Sequence, residues 1–145
     1  MAVLCLSGCA AAALYVPAEA GLKGIGMAHG QAVGADMRTL EGAAMMFYSE
    51  DSAAAASLEE GTNHIGRIAR YTDLPAKFDD PSSYALFIVS GGWWIGVAVT
   101  DATAREAVAG VASSEGWQGS PDIWTPPSGA APFSGSDAAA WKKIR

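Results

Sequence analysis

From Pro17 to Ser52 the chain carries one long helical pattern, and a helix of that length dictates how the rest can pack. Val33, Met37, Leu40, Ala44 and Phe47 recur at spacings of four, three, four and three. That rhythm places them on one face of an α-helix, in an apolar stripe wide enough to lie on a sheet. Asp36, Arg38, Glu41 and Glu50 fall mostly off it. A second row, Gly26, Gly30 and Gly34, has G-x-x-x-G-x-x-x-G spacing and shares a face of its own. Such rows let helices approach closely, yet each glycine costs a helix about 1 kcal/mol relative to alanine. The cost is understandable if the segment packs on neighbouring helices in an assembly, or melts locally. A glycine-rich linker is the competing reading.

Ahead of this helix, residues 1–18 carry no charge; Glu19 is the first. About 20 predominantly apolar residues span a bilayer, so the segment reads as a membrane anchor of minimal length. Pro17 would kink a helix there, which membrane helices tolerate better than soluble ones. No basic residue leads the segment, unlike an ordinary secretory signal. Leu6-Ser7-Gly8-Cys9 resembles a lipobox, whose cysteine is acylated; otherwise Cys5 and Cys9 are small apolar helix residues. The remainder has no cysteine, which excludes a disulfide framework and a zinc site built on thiolates. The organisation expected is therefore an anchor over 1–18, an amphipathic continuation over 19–52 and a head over 53–145.

The head reads as α+β. Ser57 and Glu60 have capping-box spacing, and Leu58, Ile65, Ile68 and Ala69 suggest a short amphipathic helix ending near Tyr71. Arg67 and Arg70 on it are expected in solvent. Residues 73–83, with Pro75, Pro81 and paired aspartates, read as loop. Residues 84–89 and 93–99 read as strands joined through Ser90-Gly91-Gly92, where glycine supplies the positive φ of a hairpin turn. Alternation puts Trp93, Ile95, Val97 and Val99 on one face and Trp94, Gly96 and Ala98 on the other. The small residues of the second face suggest a seat for a helix, and both tryptophans read as core or interface. Asp101 or Thr103 would start a helix through Ser114, with Thr103 and Glu106 as a capping box and Ala104, Val108 and Val111 as its stripe. Residues 116–135 hold Trp117, Trp124 and Phe133, so this long loop is expected to be pinned to the body. Residues 138–144 read as a last edge strand whose lysines discourage further pairing. The fold predicted is a long N-terminal α-helix packed on a small antiparallel sheet, with one or two short extra helices.

Function classes narrow by exclusion. The net charge of −6, pI near 4.7 and nine scattered basic residues argue against nucleic acid. No nucleophile elbow, zincin motif, phosphate loop or dinucleotide fingerprint is present. Asp79-Asp80 reads as a solvated pair and His64 as a surface or half-buried histidine rather than a metal ligand. No catalytic residue, metal or cofactor is expected.

The run AAALYVPAEAGL, followed by ADMRTLEGAAMMFYSEDS, resembles the N-terminal helix of type IV pilins and type II secretion pseudopilins. In that family an apolar segment ends near a helix-kinking proline, matched by Pro17. A D-x-R-x-L-x-x-A-x-x-x-Y-x-x-D stretch closes the helix, matched by Asp36, Arg38, Leu40, Ala43, Phe47 or Tyr48, and Asp51. The family's processing start, a Gly followed by Phe and a Glu at the fifth mature position, is absent, so the chain reads as starting inside the apolar segment. The resemblance implies a filament subunit rather than an enzyme. Its partners would be other pilin or pseudopilin subunits and the bacterial inner membrane, with a periplasmic or extracellular head. Some pseudopilins bind calcium in their C-terminal loop, but Asp122 and Asp137 are the only acids in the matching region here. Two rivals stay open. One is a lipoprotein tethered at Cys9 with the head as a periplasmic binding module; the other is a small extracytoplasmic sensor domain, which requires a pocket in the head.

Overall fold

The computed structural model describes residues 18–127 and 131–145, with the side chains of the first helix from Gly30 on. Pro17 and Cys9 lie outside the described residues, as does the anchor segment apart from Ala18. In chain order the elements are α1 (Ala18–Glu50), α2 (Ser52–Ala56), α3 (Ile65–Ala69), α4 (Pro75–Phe78), β1 (Tyr84–Val89) and β2 (Gly92–Ala98). They continue with α5 (Ala102–Glu115), β3 (Gln118–Ser120) and β4 (Ala139–Lys143). The strands form one antiparallel sheet in the order β1-β2-β4-β3. The class is α+β, with a long helix and a four-stranded sheet; among the described residues four further helices stand where one or two were expected, because Pro75 at the first turn starts α4 inside the stretch read as loop.

One face of the sheet carries the main core. Leu86, Ile88, Trp93, Ile95 and Val97 rise from β1 and β2 into the stripe Val33, Met37, Leu40, Ala44 and Phe47 of α1. Leu40 and Phe47 are wholly buried, and Phe47 stacks at a tilt against Trp93 with ring centres 6.1 Å apart. α5 lies beside α1 on the same face through Ala104, Val108 and Ala112. The hairpin between β1 and β2 turns on Ser90 (φ 51°) and Gly91 (φ 81°), so a serine shares the left-handed conformation expected of glycines alone.

The opposite face corrects one expectation. No helix seats on Trp94, Gly96 and Ala98. The indole of Trp141 lies flat over Gly96 instead, where an added Cβ would sit 2.8 Å from the ring. Phe87, Trp94 and Trp124 close around it, and Trp141 is fully buried. Its Nε1 donates to Ser120 Oγ at 2.9 Å, which satisfies the one polar atom of the ring. A side chain and a loop thus do for this face what a helix does for the other.

Four further expectations need correction. β4 is an inner strand: β3 pairs with its first three residues and forms the outer edge. Only Lys142 and Lys143 extend past β3, where lysine discourages added strands. The Ser57–Glu60 capping box does not form, because Ser57 closes α2 and its Oγ donates back to Ala54 O. The Thr103–Glu106 box also yields, since Asp101 takes the cap and accepts from Ala104 N at 2.9 Å. On α5 the buried stripe continues to Ala112, while Val111 is 41% exposed. Spacings of three and four both continue a helix face, and the partner surface selects between them.

Asn63 organises the outer edge of β1. Its Oδ1 accepts from Ile65 N and Leu86 N, and its Nδ2 donates to Tyr84 O, each at 3.0 Å. With His64 N donating to Leu86 O at 2.8 Å, the first half of that edge is closed to further strands.

Phe47→Ala is expected to cost about 3–5 kcal/mol in denaturant unfolding, and Met45→Ala, on the exposed side of α1, less than about 0.5. Gly96→Val should cost about 1–3 kcal/mol by displacing Trp141, read by the same titration and by loss of Trp burial in fluorescence.

Candidate functional site

α1 carries Gly26, Gly30 and Gly34 of the expected assembly residues, and its described side chains present three distinct faces. The first is the core stripe already described. Polar ties flank it. Asp36 accepts from Lys77 Nζ at 2.9 Å and from the Tyr84 hydroxyl at 2.8 Å, joining α1 to α4 and β1. Glu41 accepts from Lys142 Nζ at 3.1 Å, joining α1 to β4. Both ion pairs are partly solvated and contribute at most about 1 kcal/mol each, so they set register more than stability. Burial first, then the Asp36 hydrogen bond and charge, push the Tyr84 hydroxyl well above its ordinary pKa near 10.0.

The second face carries the glycine row, and here the structure revises its use. An added Cβ at Gly30 would meet the Ala107 Cβ at 3.0 Å, and one at Gly34 would meet the Trp117 ring at 3.4 Å. Two of the three glycines therefore seat α5 and Trp117 of the same chain. Gly26 is helical, and its surroundings lie outside the described side chains. Close helix approach is what the row permits, and at Gly30 an intramolecular helix takes it up. Beyond that crossing α1 and α5 leave a groove of about 400 Å³. Gly30, Gly34, Ala107 and Trp117 form its apolar floor, with Arg38 and Glu115 at its margin.

The third face points to solvent. Ala35, Thr39, Gly42 and Met46 are exposed along it, beside Met45, which is 56% exposed. At the C-terminal end of α1, Tyr48 meets Trp93 edge-on at 5.6 Å and lies under the Arg145 guanidinium at 3.6 Å. Asp51, the last residue of the family-like motif, caps α2 by accepting from Ala54 N.

The other sequence candidates have structural surroundings. The ring of His64 lies 2.7 Å from Glu59 O. Asp80 accepts from the Ser82 hydroxyl and amide, and these bonds hold its carboxyl below the usual range. Arg67 is exposed; Arg70, also exposed, lies 3.9 Å from Asp51 and over the Tyr71 ring. Asp137 accepts from the amide and hydroxyl of Ser134, fastening the loop over Gly119. Trp117 and Phe133 are buried in the main core, so the 116–135 loop is pinned where it is described. Among the described residues no three His, Cys, Asp or Glu side chains converge as metal ligands. Among them, too, no helix is long and apolar enough to cross a membrane.

The groove and Asn63 were both missed from the sequence. Asn63 had a usable signal, a side chain two residues ahead of a helix that can cap its first turn. The groove had none, because α5 meets α1 across some seventy residues of chain.

No known protein family, curated protein or solved structure matches this chain.

Stability should fall as pH rises past about 10. The unfolded Tyr84 then loses its proton while the folded one keeps it, so the folded state binds more protons. Tyr84→Phe lacks this loss. Its deficit relative to wild type should be largest at about pH 8 and narrow toward pH 11, measured by urea midpoints.

Proposed function

We propose that this chain is a structural subunit of a pilus or pseudopilus, of the type IV or type II secretion kind. It would assemble through its N-terminal helix and carry its α+β head on the outside. The observation that carries this reading is a mismatch of lengths. α1 has 33 residues, about 50 Å at the helical rise. Four strands span only about 19 Å, and the 33–47 stripe, about 21 Å long, is enough to cover them. A helix far longer than its own sheet requires, following an uncharged segment, suits a subunit that anchors and packs through its first half.

The family-like motif fits the same division of labour. Leu40, Ala43 and Phe47 enter the core and Asp36 binds Tyr84 and Lys77, so the motif secures the helix to the head. The partners would be other pilin or pseudopilin subunits, and the setting the bacterial inner membrane with the head in the periplasm or outside the cell. The role is mechanical and requires no cofactor.

The native N-terminus tests this. Mass spectrometry of protein from sheared surface filaments or from the membrane fraction should find an N-methylated terminal residue left by prepilin processing. A diacylglyceryl group on Cys9 would overturn the proposal in favour of a tethered lipoprotein.

A further inference from the structure

The groove between α1 and α5 bears two charges that the chain itself leaves unanswered. Two other acids on α1 are matched, Asp36 by Lys77 and Glu41 by Lys142. Arg38 and Glu115 differ: both are exposed, both border the groove, and neither has an ion pair or hydrogen bond among the described residues. They share it with the apolar Gly30, Gly34, Ala107 and Trp117, the Arg38 guanidinium reaching toward Gly34, and Val111 stands exposed on the rim. A hollow with an apolar knob beside it, flanked by one cation and one anion, complements itself when turned half a revolution. Rotation brings Arg38 of one copy toward Glu115 of the other, and gives each Val111 a hollow to enter.

We propose that this groove binds a second copy of the same chain about a two-fold axis. Arg38 of each copy pairs with Glu115 of the partner subunit, and Val111 enters the hollow between α1 and α5. An isologous contact uses one patch twice, so every interaction counts double. Charge complementarity also answers an objection, since two acidic molecules of net charge −6 repel each other. Reciprocal ion pairs at the margin of an apolar hollow offset that repulsion locally and set the register. Because a two-fold contact closes on itself, it joins subunits in pairs outside any polar filament. It therefore stands independently of the filament reading.

The test is a charge exchange on the full chain in mild non-ionic detergent, followed by sedimentation velocity over roughly 5–200 µM, the range of a small interface. Wild type should show a monomer–dimer equilibrium. Arg38→Glu and Glu115→Arg should each weaken the dimer on the order of tenfold or more, because each creates two like-charge contacts. The double variant should return to within about threefold of wild type, since it restores the pairs in reversed polarity. That recovery also excludes misfolding as the cause of the single effects. A wild type that stays monomeric throughout would overturn the proposal. So would single variants that dimerise like wild type, which is the result expected if copies meet through residues 1–18, or a double variant no better than the singles.

Discussion

Burial of the 33–47 stripe of α1 against β1 and β2 is the contact on which the rest of the molecule depends. The sheet has short strands and a three-residue edge, and such a sheet is marginal without a helix over its apolar face. Leu40 and Phe47 exclude water from the centre of that face, and Ile65, Ile68 and Trp93 pack around them. Each wholly buried side chain of this size contributes about 1.5–3 kcal/mol, whereas the partly solvated ion pairs of Asp36 and Glu41 contribute at most about 1 kcal/mol each. Hydrophobic burial holds α1 down, and the polar ties determine where along the sheet it lies.

Once α1 occupies the centre, the remaining surfaces follow from size. α5 fits beside it because Gly30 has no side chain and Ala107 has a small one. The far side of the sheet is left with Gly96, Ala85 and Ala139, a shallow floor for one large ring, and Trp141 fills it. That arrangement needs the chain to cross from α5 through β3 and a long loop before returning as β4 between β2 and β3. The loop is consequently fastened at several points, by Trp117, Phe133 and the Asp137–Ser134 bonds. A surface segment that carries three aromatic side chains does so because two of them complete the main core or its margin and the third, Trp124, packs on Trp141.

Much of this was legible in the chain. The helix stripe, the hairpin strands and the inward face of Trp93, Ile95 and Val97 all follow from periodicity, which is a local property. The errors share one cause. Capping boxes at Ser57 and Thr103 were plausible by spacing, but Ser57 closes α2, α3 starts later behind Asn63, and Asp101 rather than Thr103 caps α5. Trp94 and the small residues near it announced an apolar second face, yet could not say that the cover is a tryptophan more than forty residues away. β4 carried two lysines like an edge strand, and only its last two positions behave as one.

By itself the sequence determined the α+β class, the long helix and which of its faces meets the sheet, because apolar residues at helical or alternating spacing leave few ways to avoid water. Tertiary structure alone decided what the glycine row is used for, which strand lies at the edge, and that Arg38 and Glu115 share a groove. Those outcomes depend on segments distant along the chain arriving at one place, and no local spacing encodes an encounter between surfaces. Gly30 shows the difference most plainly: its spacing promised close approach of a helix, and only the fold supplied α5 as the helix that approaches.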